Sequence, residues 1–537
     1  MKTEAQASAS LRRSRQTSAS SVEPTRHATD AIDASLLGPR SCMTMSLFTV
    51  EEVIEIISAR VLSGQNPRGL PSHIHRLCTD SREARSGDLF VALKGDRFDG
   101  HDFVDKALQQ GAVGAIVQDR HRLAPRPEGA AKATRSGGSR AGLIPRRAPF
   151  LLGVPDSLLA YQQLAGHHRN RFRIPVVAVT GSNGKTTTKE MVAAVLAQRW
   201  TVLKTEGNLN NRIGVPQTLL RLTARHQAAV VEMGVDQKGQ TTRLCEIVRP
   251  TIGLITNVGP DHLEFFGSME ASAQAKAELL NLMSPDGAVV LNADDAYFDY
   301  LASQARCPVL SFGRSSRAQV RATELVSDQR RGMTFRLVFS GRTRHPLVTL
   351  QAYGAHNLSN ALAAAAVGHL LGVTGTKIAK GLARFRPAAM RSQVSLWGGV
   401  RVINDCYNAN PASMKAAIEM LVELGSGKRT VAVLGDMLEL GPEAVALHRE
   451  VGAYLARRGV SVLIACGVLG HEFAEGARAA GMVSDHIIET ADGAAAATTA
   501  KAIIRDGDVV LVKASRGMRL ERVIELLGGR QSAAKGA

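Results

Sequence analysis

Residues 176–189 read V-V-A-V-T-G-S-N-G-K-T-T-T-K. A short β-branched run meets a glycine turn, and the turn leads through a lysine and three threonines into a helical run from Lys189. A strand, turn and helix in this order hold anions, because backbone N–H groups of the turn and the positive helix end face one point. Thr180, Gly181, Ser182, Asn183, Gly184, Lys185, Thr186 and Thr187 are therefore candidate phosphate-binding residues. The Lys185 ammonium can reach outer phosphates, and the Thr186 hydroxyl can hold Mg²⁺. The common spacing G-x-x-x-x-G-K-[ST] is incomplete, since Val179 stands where its first glycine belongs. What remains is the shorter T-G-x-x-G-K-T, with Gly181 and Gly184.

Other chemistry-bearing residues follow apolar runs. Glu232 ends V-V-E-M-G, and a carboxylate at a strand tip near a phosphate loop suits a hard cation that wants oxygen ligands. Helix capping is its alternative role. His262 lies in T-N-V-G-P-D-H-L-E, Lys276 in Q-A-K-A-E-L-L and Asn357 in G-A-H-N-L-S-N. Taken singly, these three read as a turn histidine, a solvated helix lysine and a helix N-cap. Near the N-terminus, C-T-D-S-R carries Ser81 and Arg82, and L-K-G-D-R-F-D-G-H carries Lys94, Asp99, Gly100 and His101. Further on come Arg391, then Asp405, Asn408 and Asn410 in I-N-D-C-Y-N-A-N-P.

Strand, polar tip and helix recur along the chain, which predicts α/β domains with sites at the carboxyl edges of parallel sheets. The expected division is a disordered extension over 1–45 and a first domain over 46–165. A central parallel-sheet ATPase-like domain over 166–386 and a Rossmann-like domain over 387–537 complete it. The dinucleotide fingerprint G-x-G-x-x-G is absent from the last. Thr49 with Glu52 predicts a capping box at the first helix. The first 44 residues lack an apolar core, so they are no secretory signal, and Met45 is the expected natural start.

The 537 residues carry a net charge of +18. That charge suggests polyanions, yet its placement argues otherwise. Between 119 and 149, eight Lys/Arg stand against Asp119 and Glu128 in a Pro-, Gly-, Ala- and Ser-rich stretch. Residues 120–149 therefore read as a basic disordered insertion. Aromatics make up only 4%, which disfavours base stacking. Six cysteines without a C-x-x-C pair favour reduced thiols in the cytosol. No apolar run is long enough to span a bilayer.

Together, T-G-S-N-G-K-T-T-T-K, T-N-V-G-P-D-H-L-E, L-N-A-D-D and G-A-H-N-x-x-N resemble the Mur ligase family of ATP-dependent amide-forming enzymes. D-S-R, L-K-G-x-x-x-D-G-H, Y-N-A-N-P-x-S-M and L-G-D-M-x-E-L-G resemble its branch that adds D-alanyl-D-alanine. The resemblance covers about 46–525. It implies three domains, and ligation of that dipeptide to UDP-N-acetylmuramoyl-tripeptide by a cytoplasmic monomer. ATP and two Mg²⁺ ions are the implied cofactors. Lys185, His262 and Lys276 would be catalytic, with Lys276 carbamylated and Thr186, Glu232 and His262 on the metals. Asn357 would meet the adenine, Arg391 the γ-phosphate and Asp405 the ribose. Ser81, Arg82, Lys94, Asp99, Gly100 and His101 would bind the UDP-sugar peptide, and Asn408 and Asn410 the nucleotide and dipeptide. Asn404, Cys406 and Ala514 depart from the family's usual Asp, Ser and Gly. Another acceptor within the family, or a P-loop regulatory NTPase, are the rival readings; the guanine-reading N-K-x-D of the latter is missing.

Overall fold

The computed structural model describes residues 46–63, 73–95, 98–119, 149–329 and 331–528. The expected extension over 1–45 and nearly all of the basic insertion lie outside the described residues. Among the described residues, the strands form three sheets.

The first sheet holds β1 (Arg60–Ser63), β2 (Arg76–Cys78), β3 (Asp88–Val91), β4 (Gly114–Gln118) and β5 (Phe150–Val154), in the order β1-β5-β4-β3-β2. Only β1 runs antiparallel to its neighbour. Before it, the helix Val50–Ile57 starts at the expected capping box: Thr49 N donates to Glu52 and Glu52 N to Thr49 Oγ1. Along β3 the side chains alternate between two cores, Leu89 and Val91 in one and Phe90 in the other.

The central sheet is built from β6 (Val176–Thr180), β7 (Val202–Lys204), β8 (Ala228–Glu232), β9 (Ile252–Ile255), β10 (Ala288–Asn292), β11 (Val309–Phe312), β12 (Val320–Asp328), β13 (Gly332–Phe339) and β14 (Leu347–Leu350). Their order is β14-β13-β12-β11-β10-β9-β6-β8-β7. The expected parallel arrangement holds from β7 across to β12. It ends there, because β12–β13 and β13–β14 are antiparallel. Only three residues separate β12 from β13, too few for the crossover a parallel pair requires. Both faces of the sheet are covered: Val177 and Val179 enter one core, Val176 and Ala178 the other. Strand β6 sits between β9 and β8, so the chain leaves it toward opposite sides. That is the switch point where a crevice opens at the carboxyl edge of such sheets.

The third sheet, β15 (Gln393–Trp397), β16 (Val400–Asn404), β17 (Thr430–Gly435), β18 (Val462–Cys466), β19 (Ile487–Thr490) and β20 (Val509–Lys513), has the order β15-β16-β20-β17-β18-β19. Strand β15 is an antiparallel edge on an otherwise parallel sheet. The helix Ser157–Asn170 joins the first two domains, and the boundary expected at 165 falls inside it. Its Tyr161 and Leu164 belong to the first core and its Ala165 to the second.

Candidate active site

Strand β6, a glycine turn and a helix follow one another as the spacing suggests, with one correction. The helix begins at Lys185, not Lys189, since Gly184 caps it in a left-handed conformation (φ +80°). Lys185, Thr186 and Thr187 therefore occupy the first turn, where backbone N–H groups have no intrahelical partner. Gly181 (φ +131°) passes so close to β9's end that an added Cβ would lie 2.1 Å from Thr256 Oγ1. At Gly184 an added Cβ would lie 2.4 Å from Asn360 Oδ1. Gly184→Ala should cost about 1–2 kcal/mol for the left-handed backbone alone and weaken nucleotide binding. Thermal unfolding and ATP titration check this; an unchanged Tm and unchanged ATP affinity would refute it.

Behind the turn, a dense network fixes the loop. Asn183 N donates to Asn257 Oδ1 (3.0 Å), and Thr256 Oγ1 donates to Asn183 O (2.6 Å). The Lys185 ammonium donates to Gly181 O and Ser182 O at 2.6 and 3.0 Å, which holds it over the loop.

Glu232 ends β8 at 1% exposure, so it is a buried carboxylate and no helix cap. Its Oε1 accepts from Thr186 Oγ1 (3.0 Å) and Asn210 Nδ2 (2.9 Å), while its Oε2 has no hydrogen-bond partner among the described residues. The fully buried Lys189 ammonium lies 3.5 Å from that oxygen and 3.2 Å from Glu190.

Lys276 is 2% exposed, which overturns the solvated-lysine alternative. Its ammonium donates to Ser272 Oγ (2.7 Å) and Asp261 Oδ1 (3.3 Å) and lies 5.1 Å from the Phe266 ring centre. Burial pushes the Lys276 amine below the ordinary lysine range, and nearby Lys185 adds to this against the pull of Asp261. Asp261 itself feels burial in the opposite sense; the Lys276 and Lys185 charges prevail and hold its carboxyl below the usual range. Ser182 Oγ donates to Asp261 Oδ1 at 2.5 Å, whereas Oδ2 has no hydrogen-bond partner among the described residues. Sequence reasoning singled out neither Asp261 nor Asn210. Their presence inside the same polar clusters was the available signal.

Asn357 is not an N-cap. Gly354 takes that position for the helix Ala355–Leu370, and Asn357 Nδ2 donates to Tyr353 O (2.8 Å). From the third domain, Asp405 accepts from Ser392 N (2.7 Å) and from the Lys513 ammonium (2.5 Å). Lys513 also donates to Asn408 O (2.9 Å). The Arg391 guanidinium lies 3.8 Å from the centre of the Tyr407 ring. Burial raises the neighbouring Cys406 thiol to about 12, so it is no nucleophile. Asn410 caps the helix Pro411–Leu424, and its Nδ2 donates to Asn183 Oδ1 at 2.9 Å. That bond ties the third domain directly to the phosphate loop.

These groups surround one cavity of about 930 Å³ between the central and third domains. Ser182, Asn183, Gly184, Lys185, Thr186, Thr187, Glu232, His262, Asn357, Arg391, Asp405, Asn408 and Asn410 all line it. Thr180, Gly181 and Lys276 stand behind its wall and do not. The first-domain candidates lie elsewhere, at the carboxyl edge of β2, β3 and β4. There Asp99 Oδ1 and His101 Nδ1 are 2.5 Å apart, and Gln118 N donates to His101 Nε2. Ser81 is buried, Lys94 pairs with Asp99 through the backbone, and Arg82 is bidentate on Asp80. An added Cβ at Gly100 would lie 2.7 Å from Leu93 N and O, so only glycine fits there.

Three family models match: the catalytic domain of the Mur ligase family at 73–139, the Mur ligase middle domain at 179–368, and the Mur ligase glutamate ligase domain at 390–516. The chain is 34% identical to UDP-N-acetylmuramoyl-tripeptide–D-alanyl-D-alanine ligase of Bacillus subtilis, over 89% of this chain and 97% of that one. Against the ligase of the same name from Escherichia coli, identity is 35% over 87% and 96%. A crystal structure of MurF from Acinetobacter baumannii superposes with a TM-score of 0.78 at 31% identity, covering 90% of this chain and 99% of that one. MurF ligase from Thermotoga maritima in complex with ADP gives 0.71 at 29% identity, over 86% and 98%. Sequence similarity to these ligases extends over nearly nine-tenths of the chain and all three family models match, so the protein belongs to the Mur ligase family.

Proposed function

We propose that this protein is an ATP-dependent ligase that joins D-alanyl-D-alanine to the free carboxylate of UDP-N-acetylmuramoyl-tripeptide. The observation that carries this reading is the single cavity in which the phosphate loop meets Asp405, Asn408 and Asn410 of the third domain. The names of the relatives supply the substrates. ATP fits the loop, with Asn357 toward the adenine, Asp405 toward the ribose, and Lys185 and Arg391 toward the phosphates. Ser81, Arg82, Lys94, Asp99, Gly100 and His101 share one edge of the first sheet and would hold the UDP-sugar end.

The chemistry follows from charge. A carboxylate is a poor acyl donor. Its oxygen attacks the γ-phosphorus of ATP, the bond to ADP breaks, and an acyl phosphate forms. The dipeptide amine then attacks the acyl carbon and loses a proton, the tetrahedral intermediate collapses, and phosphate leaves. Lys185 offsets charge on the transferring group. Closure of the two domains would exclude water that could hydrolyse the acyl phosphate.

The residues fit Mg²⁺. Glu232 Oε2 and Asp261 Oδ2 are buried oxygens without a hydrogen-bond partner among the described residues, the donor type a hard cation takes. No cluster of three His, Cys, Asp or Glu side chains is assembled among the described residues, so phosphate oxygens and water would complete each shell. Thr186 and Glu232 would hold one ion, and His262 with a carbamylated Lys276 a second. When bound, Mg²⁺ neutralises charge on the phosphates.

Carbamylation needs a neutral amine, and burial of Lys276 favours that form. Because the amine sits below the ordinary lysine range, the carbamate should persist to lower pH than on an exposed lysine and be lost as pH falls further. Protein equilibrated with ¹³C-bicarbonate should show a carbamate resonance in NMR that is absent from Lys276→Met. A spectrum without it would remove this part of the reading.

We further propose a cytoplasmic monomer, since the reaction would draw on cytoplasmic ATP. Among the described residues no helix is long and apolar enough to cross a membrane. Phosphate release should require UDP-N-acetylmuramoyl-tripeptide and rise sharply on adding D-alanyl-D-alanine. Equal stimulation by single amino acids, or turnover without the UDP substrate, would overturn the assignment.

A further inference from the structure

Two left-handed residues meet where the central and third domains touch. His262 (φ +52°) precedes the short helix Leu263–Phe266, and Glu439 (φ +63°) lies in the loop after β17. Left-handed backbone at a non-glycine residue costs about 1–2 kcal/mol, so surrounding contacts must hold both. His262 Nδ1 and Glu439 Oε2 are 2.7 Å apart. Glu264 N donates to Glu439 O (3.3 Å), and an added Cβ on Gly441 would lie 3.4 Å from Glu264 Cα. The two loops therefore form a seat, separate from the Asn183–Asn410 bond.

The seat fixes the imidazole. An ionised carboxylate only accepts, so Nδ1 must carry the shared proton, and the neutral ring keeps its lone pair on Nε2. Among the described residues Nδ1 makes the ring's hydrogen bond and Nε2 makes none, and His262 lines the cavity. Histidines that bind metals are commonly oriented in this way, by a carboxylate on the far nitrogen. Here that carboxylate comes from a different domain.

We propose that Glu439 is a positioning residue: it orients His262 across the domain interface, so that the imidazole offers Nε2 to a divalent cation only when the third domain is seated. The metal-binding half of this rests on the ligase reading; the seat itself does not. Closure and completion of the cation site become one event, and a loose third domain leaves the site half built.

The test uses full-length protein with Glu439→Ala and Glu439→Gln. Glu439 is half exposed, so both should fold with near-unchanged Tm. Glu439→Ala should speed amide exchange across 263–267 about tenfold, and weaken Mn²⁺ binding in the presence of ADP, read by EPR, about 10–100-fold. Glu439→Gln, whose amide oxygen still accepts from Nδ1, should lie closer to wild type in both. Wild-type Mn²⁺ affinity in Glu439→Ala overturns the proposal, whatever the exchange rates do. If both readouts shift as expected while wild-type protein shows no substrate-dependent phosphate release, the ligase reading fails and the positioning role stands.

Discussion

Lys185→Ala should abolish ligation and leave the fold intact. The ammonium is held over the loop by Gly181 O and Ser182 O. Charge develops on the transferring phosphoryl group, and a preorganised cation there is worth about 10³-fold in kcat. The side chain is only part-buried and sits in the first turn of a helix, where alanine is a good helix former. Its removal opens no core cavity, so Tm should stay within a few degrees of wild type. Purified Lys185→Ala with near-normal ATP-dependent phosphate release would contradict the assigned role.

Glu232→Gln should give the second-largest loss, for a different reason. The substitution preserves volume, and the amide oxygen can still accept from Thr186 Oγ1 and Asn210 Nδ2. What disappears is the negative charge at an oxygen that has no hydrogen-bond partner. A divalent cation would lose its anionic ligand, and the Mg²⁺ concentration for half-maximal phosphate release should rise about 100-fold, the upper range seen when groups around a metal site are changed. Lys189 is left facing an uncharged amide but keeps Glu190 at 3.2 Å, so the stability loss should stay below the full penalty of about 3–5 kcal/mol for an orphaned buried charge. A Mg²⁺ titration coincident with that of wild type would remove Glu232 from the proposed metal site.

These outcomes depend on geometry that the sequence displayed unevenly. The strand–turn–helix around Gly181 and Gly184 was legible because local chemistry determines it: a β-branched strand, glycines where the backbone turns left-handed, and a helix start. Even there the helix began four residues earlier than the threonines suggested, since a glycine cap is a backbone conformation and carries no side-chain signal. Glu232 was legible as a strand-tip carboxylate. Lys276 was not, because its helix looks polar enough to face water, and only tertiary packing against Asp261, Ser272 and Phe266 buries it. Asp261 was passed over for the histidine beside it. The pairings Asn183–Asn410 and His262–Glu439 join residues 227 and 177 positions apart, which local spacing cannot reveal. The antiparallel strands after β12 were missed for a simpler reason: strand–helix alternation was extended past the point where the connections become too short to cross over.

The central claim is that an acid is activated by phosphoryl transfer before the amide forms. Labelling both oxygens of the tripeptide carboxylate that is to be ligated with ¹⁸O tests it most directly. If an acyl phosphate lies on the path, one labelled oxygen must leave with the released phosphate and the other must remain in the new amide, read by mass spectrometry of both products. Phosphate that carries no ¹⁸O while ligated product accumulates would show that the carboxylate never bonded to phosphorus, and the account would be wrong.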